Sequence, residues 1–482
     1  MKISDIQTNI PLTLLDDGVF YSRKFTSFLE IWKAKKNHLP LVIKGLRQSG
    51  KTKTILYFSI ENYESVFYID FRNHPEYSKL FIDYDVDRIK ERLSVEFGFT
   101  RFIAGKSLFI FDEIQDCPIA RGSLKNFALD GRYDVIASGS MFGISGYNED
   151  MKQYVPVGYE EIVRFYPMDF EEFAYACGYQ KSTFDTLKTH LERTERIDDS
   201  IHQSILKLFR LYIIVGGMPS VVKAYLNTRD LVEVRNAQRR IVDSYRDDFG
   251  THLMPDGENK TKAIEKAKIN RVLDSMPSQL SKENTTKFTY NLIDDSHAKG
   301  EKYAGAIQWL VDYGLLIRCP NLEKIDTVQA GYANQSQFKL YFADTGLFCS
   351  QLDASISRSV LFDEYGIFKG CIYENIVADA FSKSGKSLYY FSDTRGTEID
   401  FITKYKQYVA LTEVKANAGK TKSADKVYAQ LNDPKNYVIL KLTAQNIDKF
   451  QEKLTIPYYL ASFLPKDEDA LKDIAFELPI IE

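Results

Sequence analysis

Gly45-Leu46-Arg47-Gln48-Ser49-Gly50-Lys51-Thr52 decides how this chain is read. It fits GxxxxGK[ST] at every specified position. The run before it, LPLVIKG, is short and apolar, ends in glycine and reads as a buried strand. The residues after it read as helix. Between strand and helix, glycines let the backbone curl so that its N–H groups face one concavity. The helix N-terminus adds free N–H groups and the positive end of its dipole. Such a loop is a seat for phosphates. Lys51 is placed to reach the β- and γ-phosphates of ATP, and the Thr52 hydroxyl to ligate Mg²⁺.

Phe109-Ile110-Phe111-Asp112-Glu113 supplies the partner signal. This apolar run ends in two carboxylates about 60 residues after the loop, a spacing that suits a P-loop fold. Asp112 is expected to hold the Mg²⁺ through water, and Glu113 to orient the attacking water. The run YDVIASGS brings a polar tip to the next strand, with Ser138 the first choice at the γ-phosphate and Ser140 the second. With VFYIDF, these runs make four strands separated by helix-length segments. That alternation predicts an α/β core with a parallel sheet and helices on both faces.

The rest of the composition mostly excludes. Of 482 residues, 44% are apolar and 27% charged, which is ordinary for a folded globular chain. Lys and Arg number 63 against 66 Asp and Glu, so a histone-like surface is ruled out, though local basic patches are not. Five scattered cysteines with no CxxC pattern argue against zinc or a disulfide framework. They suit a reducing cytoplasm, where the protein is expected. No apolar run approaches a membrane span, and the N-terminus lacks a signal-peptide core.

After Pro167 the pattern turns helical as far as residue 250, broken at Gly216-Gly217-Met218-Pro219. A lysine-rich helix then opens a helical unit that closes on AIQWLVDYGLLIRC, an order common in winged-helix modules. The lysines there, and those near Lys415, suit either a phosphate backbone or plain solubility. The expected divisions are 1–168 for an N-terminal helix and ATP-binding core, 169–258 for a helical lid, 259–330 for a winged-helix-like module and 331–482 for a C-terminal α/β domain.

GLRQSGKT, LFIFDEIQ, ASGS, YPMDFEEF, GGMP and KLYFADTGL follow one another here. In that order they resemble the prokaryotic AAA-type ATPases that carry a C-terminal domain of unknown function. The resemblance implies ATP binding by an AAA-like core, a helical lid and a winged-helix-like segment. There is one departure. The family's Gly-Arg pair ahead of the Pro-Phe-Glu segment is Gly158-Tyr159 here, with Arg164 five residues on. That leaves the source of any arginine finger, and with it the oligomeric state, open.

Residues 371–416 hold a second constellation. Glu374 begins a predicted helix, and GTEIDFIT and YVALTEVKA follow as a hairpin. A loop centred on Lys404–Gln407 pairs Asp400 with Leu411 and Glu398 with Glu413. Period-two alternation puts Glu398, Asp400, Glu413 and Lys415 on one face, with Ile399, Phe401, Val414 and Ala416 on the other. Three acids and a lysine on one face suit Mg²⁺ or Mn²⁺ held by carboxylates. They equally suit a solvated surface. Glu374, Asp400 and Glu413-x-Lys415 resemble the PD-(D/E)xK nucleases, and the C-terminal domain of the family above is similar to that restriction-endonuclease-like fold. The resemblance implies metal at Glu374, Asp400 and Glu413, with Lys415 assisting cleavage.

The sequence thus predicts a Mg²⁺-dependent ATPase coupled to nucleic-acid binding, with DNA cleavage as a further activity and no membrane partner. The alternative is a nucleotide-switched binding protein whose C-terminal domain only recognises a partner.

Overall fold

A computed structural model describes residues 6–15, 20–140, 154–249, 259–281, 287–293, 300–364, 369–416 and 419–467. Most of the charged tail, KDEDALKD, lies outside them, as do the side chains of Lys260 and Lys262. The chain packs as two compact units. The first is Met1–Met168 with Gly217–Ala267 and Gln308–Leu315. The second is Asp169–Gly216 with Lys268–Ile307 and Leu316–Glu482.

The first unit is built on six strands: β1 (Gln7–Thr8), β2 (Leu41–Gly45), β3 (Ser65–Asp70), β4 (Ser107–Asp112), β5 (Asp134–Ser140) and β6 (Glu161–Phe165). Their order is β1-β3-β4-β5-β2-β6, and every pairing is parallel. Alternate residues of the central strands enter two cores. Ile43, Val66, Ile110 and Ile136 pack with Leu29, Trp32, Ile55 and Phe58 of the helices Lys24–Ala34 and Lys51–Asn62. Val42, Phe67, Phe109 and Phe111 pack with Ile89, Leu93, Leu124 and Phe127 of the helices Val86–Phe97 and Pro118–Asp130. Both faces are covered, as expected, and each such fully buried side chain contributes about 1.5–3 kcal/mol. The sequence reading did not anticipate the two edge strands. β1 is only two residues long, and β6 (EIVRF) interrupts its apolar residues with charge, so neither forms an apolar run.

The second unit carries β7 (Leu316–Leu322), β8 (Ala333–Phe342), β9 (Tyr389–Ser392), β10 (Glu398–Tyr405), β11 (Tyr408–Lys415), β12 (Tyr437–Thr443), β13 (Asp448–Phe450) and β14 (Lys453–Pro457). They form one mixed sheet in the order β13-β14-β12-β11-β10-β9-β7-β8. The expected helical stretch is present, beginning with the helix Phe170–Ala176. Its N-cap Asp169 accepts from the Glu172 backbone while the Glu172 carboxylate accepts from Asp169, a capping box that accounts for the DFEE sequence.

The expected divisions do not match this packing. The stretch 169–258 is split, with residues to 216 in the second unit and those from 217 in the first. The 330/331 boundary falls inside a hairpin, because β7 and β8 pair antiparallel from Leu316↔Phe342 to Leu322↔Ala333. That hairpin also joins the larger sheet through β9. A lone hairpin is marginal in water, and sharing the sheet gives β7 a partner on each side.

Candidate nucleotide site and a second charged site

Parallel strands point their C-terminal ends the same way, and ligands of open α/β sheets bind there. Gly45, Asp70, Asp112 and Ser140 all end strands at that edge. Gly45 is required by packing, because a Cβ there would stand 2.3 Å from the Phe165 carbonyl oxygen of β6. Gly50, at φ +95°, is required by backbone conformation. Leu46, Arg47, Gln48 and Ser49 form the curl between them, and the helix starts at Lys51.

Lys51 Nζ donates to the carbonyl oxygens of Gly45 at 2.9 Å and Leu46 at 3.1 Å. Burial lowers its pKa, against the pull of Glu113 and Asp112. Thr52 Oγ1 donates to Asp112 Oδ2 at 2.9 Å, and the Tyr68 hydroxyl to the same oxygen at 3.1 Å. Burial, followed by the Glu113 charge, raises the Asp112 pKa against its bonds from Ser138 and Thr52. A buried carboxylate beside a hydroxyl is a set of hard oxygen donors, and it suits Mg²⁺.

Ser138, expected at the γ-phosphate, donates its hydroxyl to Asp112 Oδ1. The strand order explains this bond. β5 lies between β2 and β4, so Ser138 sits beside Ile43 and one residue beyond Ala137, the partner of Phe111. Ser140 ends β5 opposite Gly45 and is buried.

Glu113 adopts left-handed backbone at φ +52°, an uncommon conformation for a side chain of its size. Its carboxylate pairs with Arg72 Nη2 at 3.1 Å and accepts from the Gln115 amide. Arg72 also binds Asp116, its Nε donating at 2.9 Å. Sequence reasoning missed Arg72. Only the pairing of β3 with β4, which sets Asp70 beside Asp112, brings it to Glu113.

The loop is also held from outside. Arg47 Nη1 meets Asp248 Oδ1 at 2.5 Å, and the Tyr313 hydroxyl donates to Asp248 Oδ2 at 3.0 Å. Tyr245 donates to the Arg47 carbonyl at 2.7 Å, and Gln48 Nε2 to Ser244 Oγ at 2.9 Å. Buried Arg23 donates to the Ser49 carbonyl at 3.0 Å and the Tyr166 carbonyl at 2.7 Å. Arg164, five residues beyond the Tyr159 that replaces the family arginine, lies over the Tyr166 ring at 4.8 Å.

In the second unit the helix Lys369–Lys383 docks on β8 through consecutive residues. Asn375 exchanges bonds with the Phe342 backbone, accepting at 2.8 Å and donating at 3.2 Å. Glu374 accepts from Lys339 Nζ at 2.8 Å and from the Tyr341 hydroxyl. Lys339 Nζ also meets Glu398 Oε1 at 2.5 Å. Burial alone lowers the Lys339 pKa, but Glu374, Glu398 and Asp400 together hold it well above the ordinary lysine range. The alternating apolar residues of KLYFADTGL conceal this role from the sequence.

The hairpin register is two residues off the expectation. Tyr405 pairs with Tyr408 and Phe401 with Thr412, so the next step sets Asp400 opposite Glu413. The turn is only Lys406-Gln407, with Lys406 at φ +54°. A shift of two preserves faces, but a β-bulge against β9 between Ile399 and Ile402 does not. Ile399 and Ile402 share one core, while Phe401 packs against Tyr341 and Phe381. This corrects the expected grouping of Ile399 with Phe401. Asp400 Oδ2 accepts from the Val414 N–H at 2.7 Å. Burial and then Glu374 push its pKa up to about 7, against Lys339 and Lys415. Glu413 is bound by Lys415 Nζ at 2.6 Å and by the Ala424 N–H at 2.7 Å. Among the described residues, no three His, Cys, Asp or Glu side chains come together to hold a metal ion.

Comparison with known proteins bears out the core. Residues 37–174 match the family model described as an AAA domain. Residues 206–357 and 369–460 match two models described only as domains of unknown function, DUF8612 and DUF4143. The first unit therefore contains an AAA-type P-loop ATPase domain. Among solved structures, the Aeropyrum pernix ORC1 protein in complex with DNA is 13% identical, with a TM-score of 0.28, covering 73% of this chain and 96% of that one. The Aeropyrum pernix ORC2 protein with ADPNP and ADP is 12% identical, with a TM-score of 0.33 and coverage of 73% and 97%. Cdc6p from Pyrobaculum aerophilum is 11% identical, with a TM-score of 0.25 and coverage of 74% and 99%. Likenesses this loose carry no weight for function. No curated protein matches the chain. Among the described residues no single helix is long and apolar enough to cross a membrane.

Proposed function

We propose that the chain is a Mg²⁺-dependent ATPase whose nucleotide cycle is coupled to binding of nucleic acid. One observation carries the first half. Thr52 and Asp112 stand 2.9 Å apart, beside Lys51 and Glu113, at the phosphate-binding edge of a parallel sheet. Thr52 and Asp112 would hold Mg²⁺, which neutralises charge on the phosphates. Lys51, released from two neutral carbonyls, meets the phosphates, and Glu113 orients the water. The test is ATP hydrolysis with and without Mg²⁺, wild type beside Lys51→Ala. The variant is expected to lose nucleotide binding and turnover. Turnover at the wild-type rate would refute the assignment.

Nucleic acid is the proposed partner because the sequence order over residues 259–330, a lysine-rich helix followed by AIQWLVDYGLLIRC, suits a winged-helix-like module. Lys266, Lys268 and Arg271 on its first helix suit a phosphate backbone. Five cysteines outside any disulfide, four of them buried, fit a reducing cytoplasm. For residues 331–482 the reading is a nuclease-like fold, supported by Glu374 on a helix and by Asp400 and Glu413-x-Lys415 on paired strands. Cleavage with Mg²⁺ or Mn²⁺ would need those carboxylates freed from their lysines. The second reading, recognition without cutting, is favoured by the two ion pairs of Lys339.

A further inference from the structure

The carboxylates of the C-terminal site already have a cation. Lys339 Nζ lies 2.8 Å from Glu374, inside the usual range for a charge-assisted bond, and 2.5 Å from Glu398, closer still. The Tyr341 hydroxyl fills another lone pair of Glu374, and the Tyr390 ring lies 5.4 Å from the same ammonium. Lys339 and Tyr341 are buried, as is Glu413, whose two oxygens are occupied by Lys415 and the Ala424 N–H. A divalent cation needs several free, converging oxygens. Here Glu374 and Asp400 each have one oxygen engaged and Glu413 has both, and the lysine on Glu374 is shared with Glu398. The residues present do not suit a metal.

We propose that Lys339 is the permanent counter-ion of this site, standing in place of a divalent cation, and that the domain engages its partner without metal and without cutting it. The inference rests on the nuclease-like reading of Glu374, Asp400, Glu413 and Lys415. It adds that a residue outside that set, contributed by β8, decides whether the set can take metal. It also makes an uncommon demand on a substitution: removing a positive side chain should create a metal site.

The test is Mn²⁺ binding by titration calorimetry, with thermal unfolding alongside. The full chain is used without nucleotide and in a Lys51→Ala background, so that the phosphate loop contributes nothing. Wild type at position 339 is expected to bind no Mn²⁺ below millimolar concentration and to show no Tm shift. Lys339→Met is expected to gain one site at least tenfold tighter, and 1 mM Mn²⁺ should raise its Tm. Adding Glu374→Gln should abolish both gains. If Lys339→Met does not fold, Lys339→Met with Glu398→Gln keeps Glu374, Asp400 and Glu413 while removing one unpaired charge. The same gain is then expected from that pair. Mn²⁺ binding by wild type, lost in Asp400→Asn, would overturn the proposal and leave the nuclease reading standing. No binding by any variant would overturn both.

Discussion

Lys51 and Lys339 are both buried lysines beside acidic residues, and they are wired in opposite ways. Lys51 donates to two backbone carbonyls, which are neutral, and its charged form is disfavoured. Lys339 donates to two carboxylates, and its charged form is favoured. Magnitudes then separate the two sites. Leaving a hydrogen bond from an ammonium to a neutral carbonyl costs about 1.5–3 kcal/mol, and breaking a buried ion pair about 3–5 kcal/mol. An arriving phosphate can draw Lys51 away from its carbonyls, while a metal ion must displace Lys339 from partners that hold it harder. One lysine waits for a ligand and the other already has one.

The largest effect that would sharpen this contrast belongs to Glu113. Glu113→Gln keeps the loop and its lysine, so ATP should still bind while turnover falls about 100-fold or more. Equal losses of binding and turnover would mean that Glu113 supports the loop through Arg72 and does not act on water. A smaller effect is expected at Asp248. Asp248→Asn weakens the bond to Arg47, lowering stability by about 2 kcal/mol. The freed guanidinium sits on the phosphate loop, so affinity for ATP should rise about threefold to tenfold. Unchanged affinity would show the Arg47–Asp248 pair to be a brace alone.

The smallest effect is one of pH, in the second unit. Asp379 pairs with Lys383 at 3.0 Å, yet burial outweighs that pull and pushes its pKa up to about 7. A carboxyl raised in the folded state favours folding below its unfolded pKa, about 4. That contribution is lost as pH rises through about 7. Stability should therefore fall between about pH 4 and 7, and Asp379→Asn should flatten the fall in urea unfolding. An identical slope in the variant would mean that Lys383 keeps Asp379 ionised throughout.

The core was legible because apolar runs ending in glycine or acid mark buried parallel strands, and GLRQSGKT and LFIFDE mark the edge where they end. Pairing across the sheet was not. Ser138 and Arg72 reach their partners only because β5 lies between β2 and β4 and because β3 adjoins β4. The hairpin register slipped because Lys406 takes a left-handed turn position without the glycine or asparagine that would announce it. Lys339 was hidden for a related reason. It sits in a strand that reads as apolar, and its partner Glu374 lies 35 residues on.

Arg23 lies upstream of residues 37–174, the stretch matched as an AAA domain, yet its guanidinium ties the carbonyl of Ser49 to that of Tyr166 and stacks on the Phe165 ring at 4.5 Å. The matched stretch and the folding unit therefore have different edges. A fragment trimmed to the matched stretch would keep every nucleotide-facing residue of the loop and lose the strut that closes it from behind.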